Sequence, residues 1–183
     1  ERLIEHVISG GVHGIFVLGT TGEFAGLGYR LKSQMVSLTC EIVRSRVPVL
    51  VGITDSAFTE SLQLEKVALE CGADAVVMAP PFYFTTSQSE YIDYIKRIMS
   101  HLTLPLFLYN MPTHTKMNIE PDTVKLLAKI PGIIGIKDSS SNLAYFNQVR
   151  SELHDRSDFS FMVGTEEFMA EFVIMGGHGG VTG

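Results

Sequence analysis

Short, continuously apolar runs alternate along the chain with longer stretches whose apolar residues recur every three or four positions. The runs are rich in Val, Ile, Leu and Phe and cover residues 15–19, 47–53, 75–79, 105–109, 133–137 and 159–164, with a seventh at 179–182. They are too short for helices and too uniformly apolar for half-exposed strands, so they predict parallel strands buried on both faces. Helical periodicity fills the gaps. Residues 30–45 carry Leu31, Met35, Leu38, Ile42 and Val43 on one face. Residues 59–72 carry Leu62, Leu64, Val67, Ala68 and Leu69, with Gly72 placed to end the helix. Glu120-Pro121 opens another helix with proline in its first turn. Ser139-Ser140-Ser141-Asn142 offers N-caps for a helix reaching His154, and the chain itself opens inside a helical pattern at Glu1.

Strand starts recur about every 25 to 30 residues, the size of a βαβ unit. No linker, repeat or composition shift marks a boundary, so one domain over residues 1–183 is expected. Strict alternation of strand and helix predicts an α/β fold, either a doubly wound sheet or a (β/α)8 TIM barrel. A barrel takes about 250 residues and eight strands. Against that pattern the chain reads as an incomplete barrel, truncated at both ends, with the first strand and the C-terminal helices missing.

Composition narrows the classes further. Of 183 residues, 45% are hydrophobic and 19% charged, which is too apolar for a disordered chain. Fourteen Lys and Arg stand against twenty Asp and Glu, a net charge of −6, and the basic residues are dispersed, so no nucleic-acid partner is expected. Cys40 and Cys71 lack CxxC spacing, and the scattered histidines form no HxH or HxxxH pair, so no metal site is expected. No apolar run approaches the roughly 20 residues that span a bilayer. With no signal peptide at the start, a cytoplasmic location without a membrane partner is expected.

In a barrel, chemistry gathers at the C-terminal ends of the strands. After the first run, Gly19-Thr20-Thr21-Gly22-Glu23 suits a tight loop that presents hydroxyls and N–H groups to a small anion, or an ordinary glycine turn. After the third, Pro80-Pro81-Phe82-Tyr83-Phe84 is a stiff aromatic loop whose rings either pack or, at Tyr83, serve the site. The fourth ends in Tyr109-Asn110-Met111-Pro112, where a phenol either relays protons or hydrogen-bonds backbone. The fifth is the most informative, because Lys137 stands inside an otherwise aliphatic strand. The remaining lysines lie in helical or loop patterns, where a solvated charge accounts for them. A buried ammonium is costly unless paired or deprotonated, and a desolvated lysine is the nucleophile that Schiff-base chemistry uses. An ion pair with Asp138 is the structural alternative, weakened because adjacent strand residues point to opposite faces. After the sixth run, Gly164-Thr165-Glu166-Glu167 places two carboxylates at a helix start, where the helix dipole explains them. Gly176-Gly177-His178-Gly179-Gly180 precedes its strand and reads as a turn.

These motifs occur together in the order and spacing of one superfamily. The chain resembles, over its whole length, the dihydrodipicolinate synthase/N-acetylneuraminate lyase family of pyruvate-dependent class I aldolases. The resemblance implies a (β/α)8 barrel in which Lys137 forms a Schiff base with the keto carbon of pyruvate, with no metal or organic cofactor. It implies that Thr20 and Thr21 hold the pyruvate carboxylate, that Tyr109 relays protons, and that Thr21 links Tyr109 to Tyr83. Tyr83 would reach into a neighbouring subunit, so a homo-oligomer, a dimer or tetramer, is implied. Val181 would offer its carbonyl beside bound pyruvate.

Departures from the family pattern concern the second substrate, an aldehyde or the 2-oxo acid cleaved to give one. Lysine-pathway synthases carry an arginine two residues after the Tyr-Asn-x-Pro proline, where this chain has His114, which cannot supply a bidentate guanidinium. Sialic acid lyases carry an acidic pair at the spacing of Glu166 and Glu167 from Gly164, and a threonine where this chain has Ser139. These substrate-binding positions lean towards a lyase acting on a sugar-acid type 2-oxo acid. The alternative is 4-hydroxy-tetrahydrodipicolinate synthase, which joins pyruvate to aspartate semialdehyde. A non-catalytic keto-acid-binding barrel is the alternative from another class.

Overall fold

The aliphatic runs fold as strands and the periodic stretches as helices, in the order the pattern predicts. A computed structural model describes residues 1–183. These divide into two compact units, Glu1–Val77 with Leu102–Pro105, and Met78–His101 with Leu106–Gly183.

In the first unit, α1 (Arg2–Ser9), α2 (Tyr29–Val43) and α3 (Phe58–Glu70) alternate with β1 (Ile15–Val17), β2 (Val49–Gly52) and β3 (Ala75–Met78). β2 pairs in parallel with both β1 and β3. Its residues are almost wholly buried, as a parallel strand covered on both faces requires. α3 stops where Gly72 takes a φ of +75°, a conformation that glycine adopts without steric cost. Two carboxylates then fasten the connections. Asp74 accepts the Val49 N–H at 2.8 Å, and the buried Glu65 accepts the N–H groups of Thr103 and Leu104 at 2.8 and 3.1 Å. Lys32 corrects the expectation of a solvated charge. It is buried on α2 and donates to Asp55 at 3.0 Å, because the helix face carrying it turns towards the end of β2.

In the second unit, β4 (Leu106–Asn110), β5 (Ile133–Asp138), β6 (Ser160–Val163) and β7 (Gly179–Gly180) are parallel neighbours in sequence order. Around them lie α4 (Gln88–Met99), α5 (Pro112–Thr115), α6 (Pro121–Leu127), α7 (Leu143–Glu152) and α8 (Met169–Ile174). α4 begins in a capping box: Ser87 accepts the Glu90 N–H while the Glu90 carboxylate accepts the Ser87 N–H. The Ser87 hydroxyl donates to the Glu90 carboxylate at 2.6 Å and, with the Ser87 N–H, holds that carboxyl below its usual range. Asn142 caps α7 through the Tyr145 N–H, the last of the four candidate caps. The aromatic core joins α7, α8 and β6, with Phe146 packed 4.0 Å from Phe172 and 5.9 Å from Phe161, centroid to centroid. Gly176, at φ +95°, and the His178 ring, whose Nδ1 accepts the Phe161 N–H at 3.0 Å, form the turn into β7. No helix is long and apolar enough to cross a membrane.

Gly135, in mid-β5, has no room for a side chain. A Cβ there would overlap the Phe107 ring and lie 2.6 Å from the Ser160 carbonyl oxygen. Gly135→Ala should therefore lower unfolding free energy by about 1–3 kcal/mol. Gly26→Ala, whose Cβ would meet nothing within 4 Å, should change it by less than about 0.5 kcal/mol. Urea denaturation of the two full-length variants checks the contrast.

Candidate active site

Register builds the site. β4 and β5 slip by one residue between Leu106 and Phe107, and beyond that irregularity Tyr109 lies opposite Lys137 and Asn110 opposite Asp138. Side chains alternate faces along a strand, so the first pair shares one face of the sheet and the second pair the other. Lys137, 9% exposed, lies beside Tyr109, 4% exposed. Its Nζ is 3.5 Å from the Tyr109 Oη and 4.5 Å from the centre of the ring. A desolvated ammonium against an aromatic face gains about 2 kcal/mol, which offsets part of the cost of burial. The expected separation of Lys137 from Asp138 is therefore what the fold contains.

On the opposite face, Asn110 donates to Asp138 Oδ1 at 2.8 Å. Asp138 also accepts the Ser140 N–H at 3.1 Å and the Ser140 hydroxyl at 2.8 Å. Burial pushes the Asp138 carboxyl above its ordinary range, and the bonds from Asn110 and Ser140 pull against that shift. Sequence reasoning passed over Asn110, although a fully polar residue ending an aliphatic strand was a signal that it has a buried partner.

Residues after β6 lie close to the lysine. Gly164 donates to the Asp138 carbonyl at 2.8 Å, and a Cβ on it would collide with the Ser139 hydroxyl and lie 3.0 Å from Lys137 Cε. Glycine at this position is thus a condition for the lysine's extended side chain. Glu166 opens the short turn before α8, and its Oε1 accepts the Gly183 N–H at 2.7 Å. That bond holds the Glu166 carboxyl below its usual range, with the nearby Lys137 charge a smaller cause in the same direction. Val181 extends the sheet by donating to the Val163 carbonyl at 2.8 Å. Glu167 is exposed beside Glu166.

The remaining sequence candidates have different settings. Tyr83 is 83% exposed, adopts a φ of +87°, and meets Phe84 edge-on at 5.0 Å. A non-glycine residue holding that φ is strained by roughly 1–3 kcal/mol. Thr20 and Thr21 belong to the first unit. They lie in a turn closed by the Glu23 N–H to the Thr20 carbonyl at 3.0 Å, after Leu18 at φ +62°. Gly52 makes room for that turn, since a Cβ there would collide with the Leu18 carbonyl. His114 lies exposed on α5, its Nδ1 2.9 Å from the Thr113 hydroxyl. No three His, Cys, Asp or Glu side chains come together in a way that could hold a metal ion.

The chain is similar to several proteins of known sequence and structure. A dihydrodipicolinate synthase from Bacteroides thetaiotaomicron is 54% identical and superposes over 100% of this chain and 61% of its own, with a TM-score of 0.96. YagE, a prophage protein of the dihydrodipicolinic acid synthase family from E. coli K12, solved in complex with pyruvate, is 32% identical. It superposes over 99% of this chain and 61% of its own, with a TM-score of 0.95. The 4-hydroxy-tetrahydrodipicolinate synthase of Syntrophus aciditrophicus (strain SB) is 37% identical over 177 residues, 97% of this chain and 60% of that protein. The chain thus spans about three-fifths of the length of these relatives. The family model for the dihydrodipicolinate synthetase family matches residues 1–183, and the chain belongs to that family.

Proposed function

We propose that the protein is a class I aldolase that activates pyruvate as an imine on Lys137 and condenses it with aspartate semialdehyde, the 4-hydroxy-tetrahydrodipicolinate synthase reaction. The observation that carries this reading is the buried Lys137 amine 3.5 Å from the Tyr109 hydroxyl on an apolar parallel sheet. The amine in its neutral form attacks the keto carbon, and loss of water leaves an iminium. The iminium draws electrons from the methyl carbon, which gives up a proton to become an enamine, and that carbon attacks the aldehyde. Tyr109 is the group within reach to pass protons to and from the nitrogen and the departing oxygen.

The family resemblance supports the remaining roles. Thr20 and Thr21 bind the pyruvate carboxylate, Thr21 and Tyr83 extend the proton path, and Val181 contributes its carbonyl. Gly164 keeps the space into which the keto acid enters, and Ser139, Glu166 and Glu167 contact the second substrate. The chain forms part of one (β/α)8 barrel domain acting as a homo-oligomer, and the lysine supplies the electron sink that a cofactor would otherwise provide.

The synthase names of the relatives favour aspartate semialdehyde as the partner. A polyhydroxylated 2-oxo acid is the second reading, favoured by His114 at the arginine position and by Glu166 beside the lysine. Rates with aspartate semialdehyde and with a panel of 2-oxo-3-deoxy sugar acids separate the two. If the synthase reading holds, His114→Arg should lower KM for the semialdehyde about tenfold, the value of one charge-assisted hydrogen bond.

Borohydride added with pyruvate to the full-length protein should leave a reduced pyruvyl group on Lys137 alone, located by peptide mass mapping, and Lys137→Ala should trap none. A folded native protein that traps nothing would overturn the imine and leave a keto-acid-binding barrel. Gly164→Ala, which crowds Lys137 Cε and the Ser139 hydroxyl, should slow trapping by about tenfold or more. Stopped trapping at timed intervals gives that rate.

A further inference from the structure

We propose that Asn110 and Asp138 are positioning residues, whose mutual hydrogen bond on one face of β4 and β5 sets the approach of Tyr109 to Lys137 on the other. The inference rests on Lys137 being the imine-forming lysine, and it concerns side chains that never meet the substrate.

The two pairs are consecutive rungs of one parallel ladder, Tyr109 opposite Lys137 and Asn110 opposite Asp138. Whatever fixes the second rung fixes the first, one residue or about 3.3 Å away. Asn110 is fully buried, and its amide is fully committed. The two N–H groups go to Asp138 Oδ1 at 2.8 Å and Asn118 Oδ1 at 3.0 Å, and the carbonyl oxygen accepts the Ile119 N–H at 3.0 Å. One side chain thereby ties β4, β5 and the segment after α5 together.

The backbone of the same two residues carries the rest of the lysine's surroundings. The Asn110 carbonyl accepts the Ser139 N–H at 2.9 Å, and the Asp138 carbonyl accepts the Gly164 N–H at 2.8 Å. Gly164 lies against both the lysine stem and Ser139, since a Cβ on it would meet Ser139 and Lys137 Cε.

An apolar pair of similar size would hold two strands together at least as strongly, without the penalty of burying a carboxylate. A hydrogen-bonded amide and carboxylate differ in having a single satisfied geometry, so a slip of the strands leaves buried polar atoms without partners. The Lys137–Tyr109 separation of 3.5 Å is at the edge of hydrogen-bonding range and has no slack for such a slip.

The test measures the rate of borohydride-trappable adduct with pyruvate in native full-length protein and in Asn110→Asp, which faces one carboxylate with another. At saturating pyruvate the rate should fall about tenfold or more, while the end point stays at one pyruvyl group per folded chain. The pyruvate concentration giving half the maximal rate should shift by less than about threefold. The exchanged pair, Asn110→Asp with Asp138→Asn, restores one amide facing one carboxylate and should bring the rate back to within about threefold of native. A side chain that merely supports the fold would lower the end point and leave the rate per trapped site unchanged. If Asn110→Asp does not fold, Asp138→Ala, which removes the acceptor of the Asn110 N–H, takes its place with the same expected loss. A native rate in a folded single variant, or an exchanged pair no faster than the single variant, overturns the positioning role. Failure of the native protein to trap pyruvate overturns instead the reading of Lys137 on which this one stands.

Discussion

A primary amine held inside an apolar parallel sheet is the constraint around which the second unit is arranged. Burying an ammonium without a partner costs several kcal/mol even after local relaxation. Lys137 is not placed against Asp138, the carboxylate next to it in sequence, which the strand turns to the opposite face. It lies against the ring and hydroxyl of Tyr109. That environment gives partial compensation and leaves the nitrogen without a tight carboxylate contact from its neighbour.

Room for such a side chain comes from glycine, and order comes from hydrogen bonds one rung away. Gly164 leaves the volume that the lysine stem and the Ser139 hydroxyl occupy, and Gly135 lets β5 lie close against Phe107 and β6. Asn110 and Asp138 then tie the strand ends that carry Lys137 and Tyr109.

Two of the loops that follow strands hold strained residues. Leu18 at φ +62°, just before Gly19-Thr20-Thr21-Gly22, and Tyr83 at φ +87° both hold conformations that side chains disfavour. Each lies beyond the C-terminal end of a strand, where an α/β barrel keeps its chemistry. Glu166, whose carboxylate accepts the Gly183 N–H, joins the segments that follow β6 and β7.

Much of this was legible in the sequence, for reasons of period and exclusion. Aliphatic runs separated by helical periodicity specified seven strands and their order, because a strand buried on both faces admits no alternation. The lone lysine in residues 133–137 stood out because nothing else in that run is polar, and alternation alone separated it from Asp138. Capping residues such as Asn142, Pro121 and Gly72 marked helix ends because their chemistry is local. What depends on contacts distant in sequence was not legible. Lys32 looked solvated until the orientation of α2 against the end of β2 gave it Asp55. Asn110 drew no role from the sequence until the slip between Leu106 and Phe107 set it opposite Asp138. Periodicity located the helices without fixing their buried faces, since Leu31, Met35 and Leu38 are exposed on α2 while Lys32, Val36 and Thr39 are buried; the register between strands likewise decides which residues meet, because a shift of one residue exchanges the two faces and every partner with them.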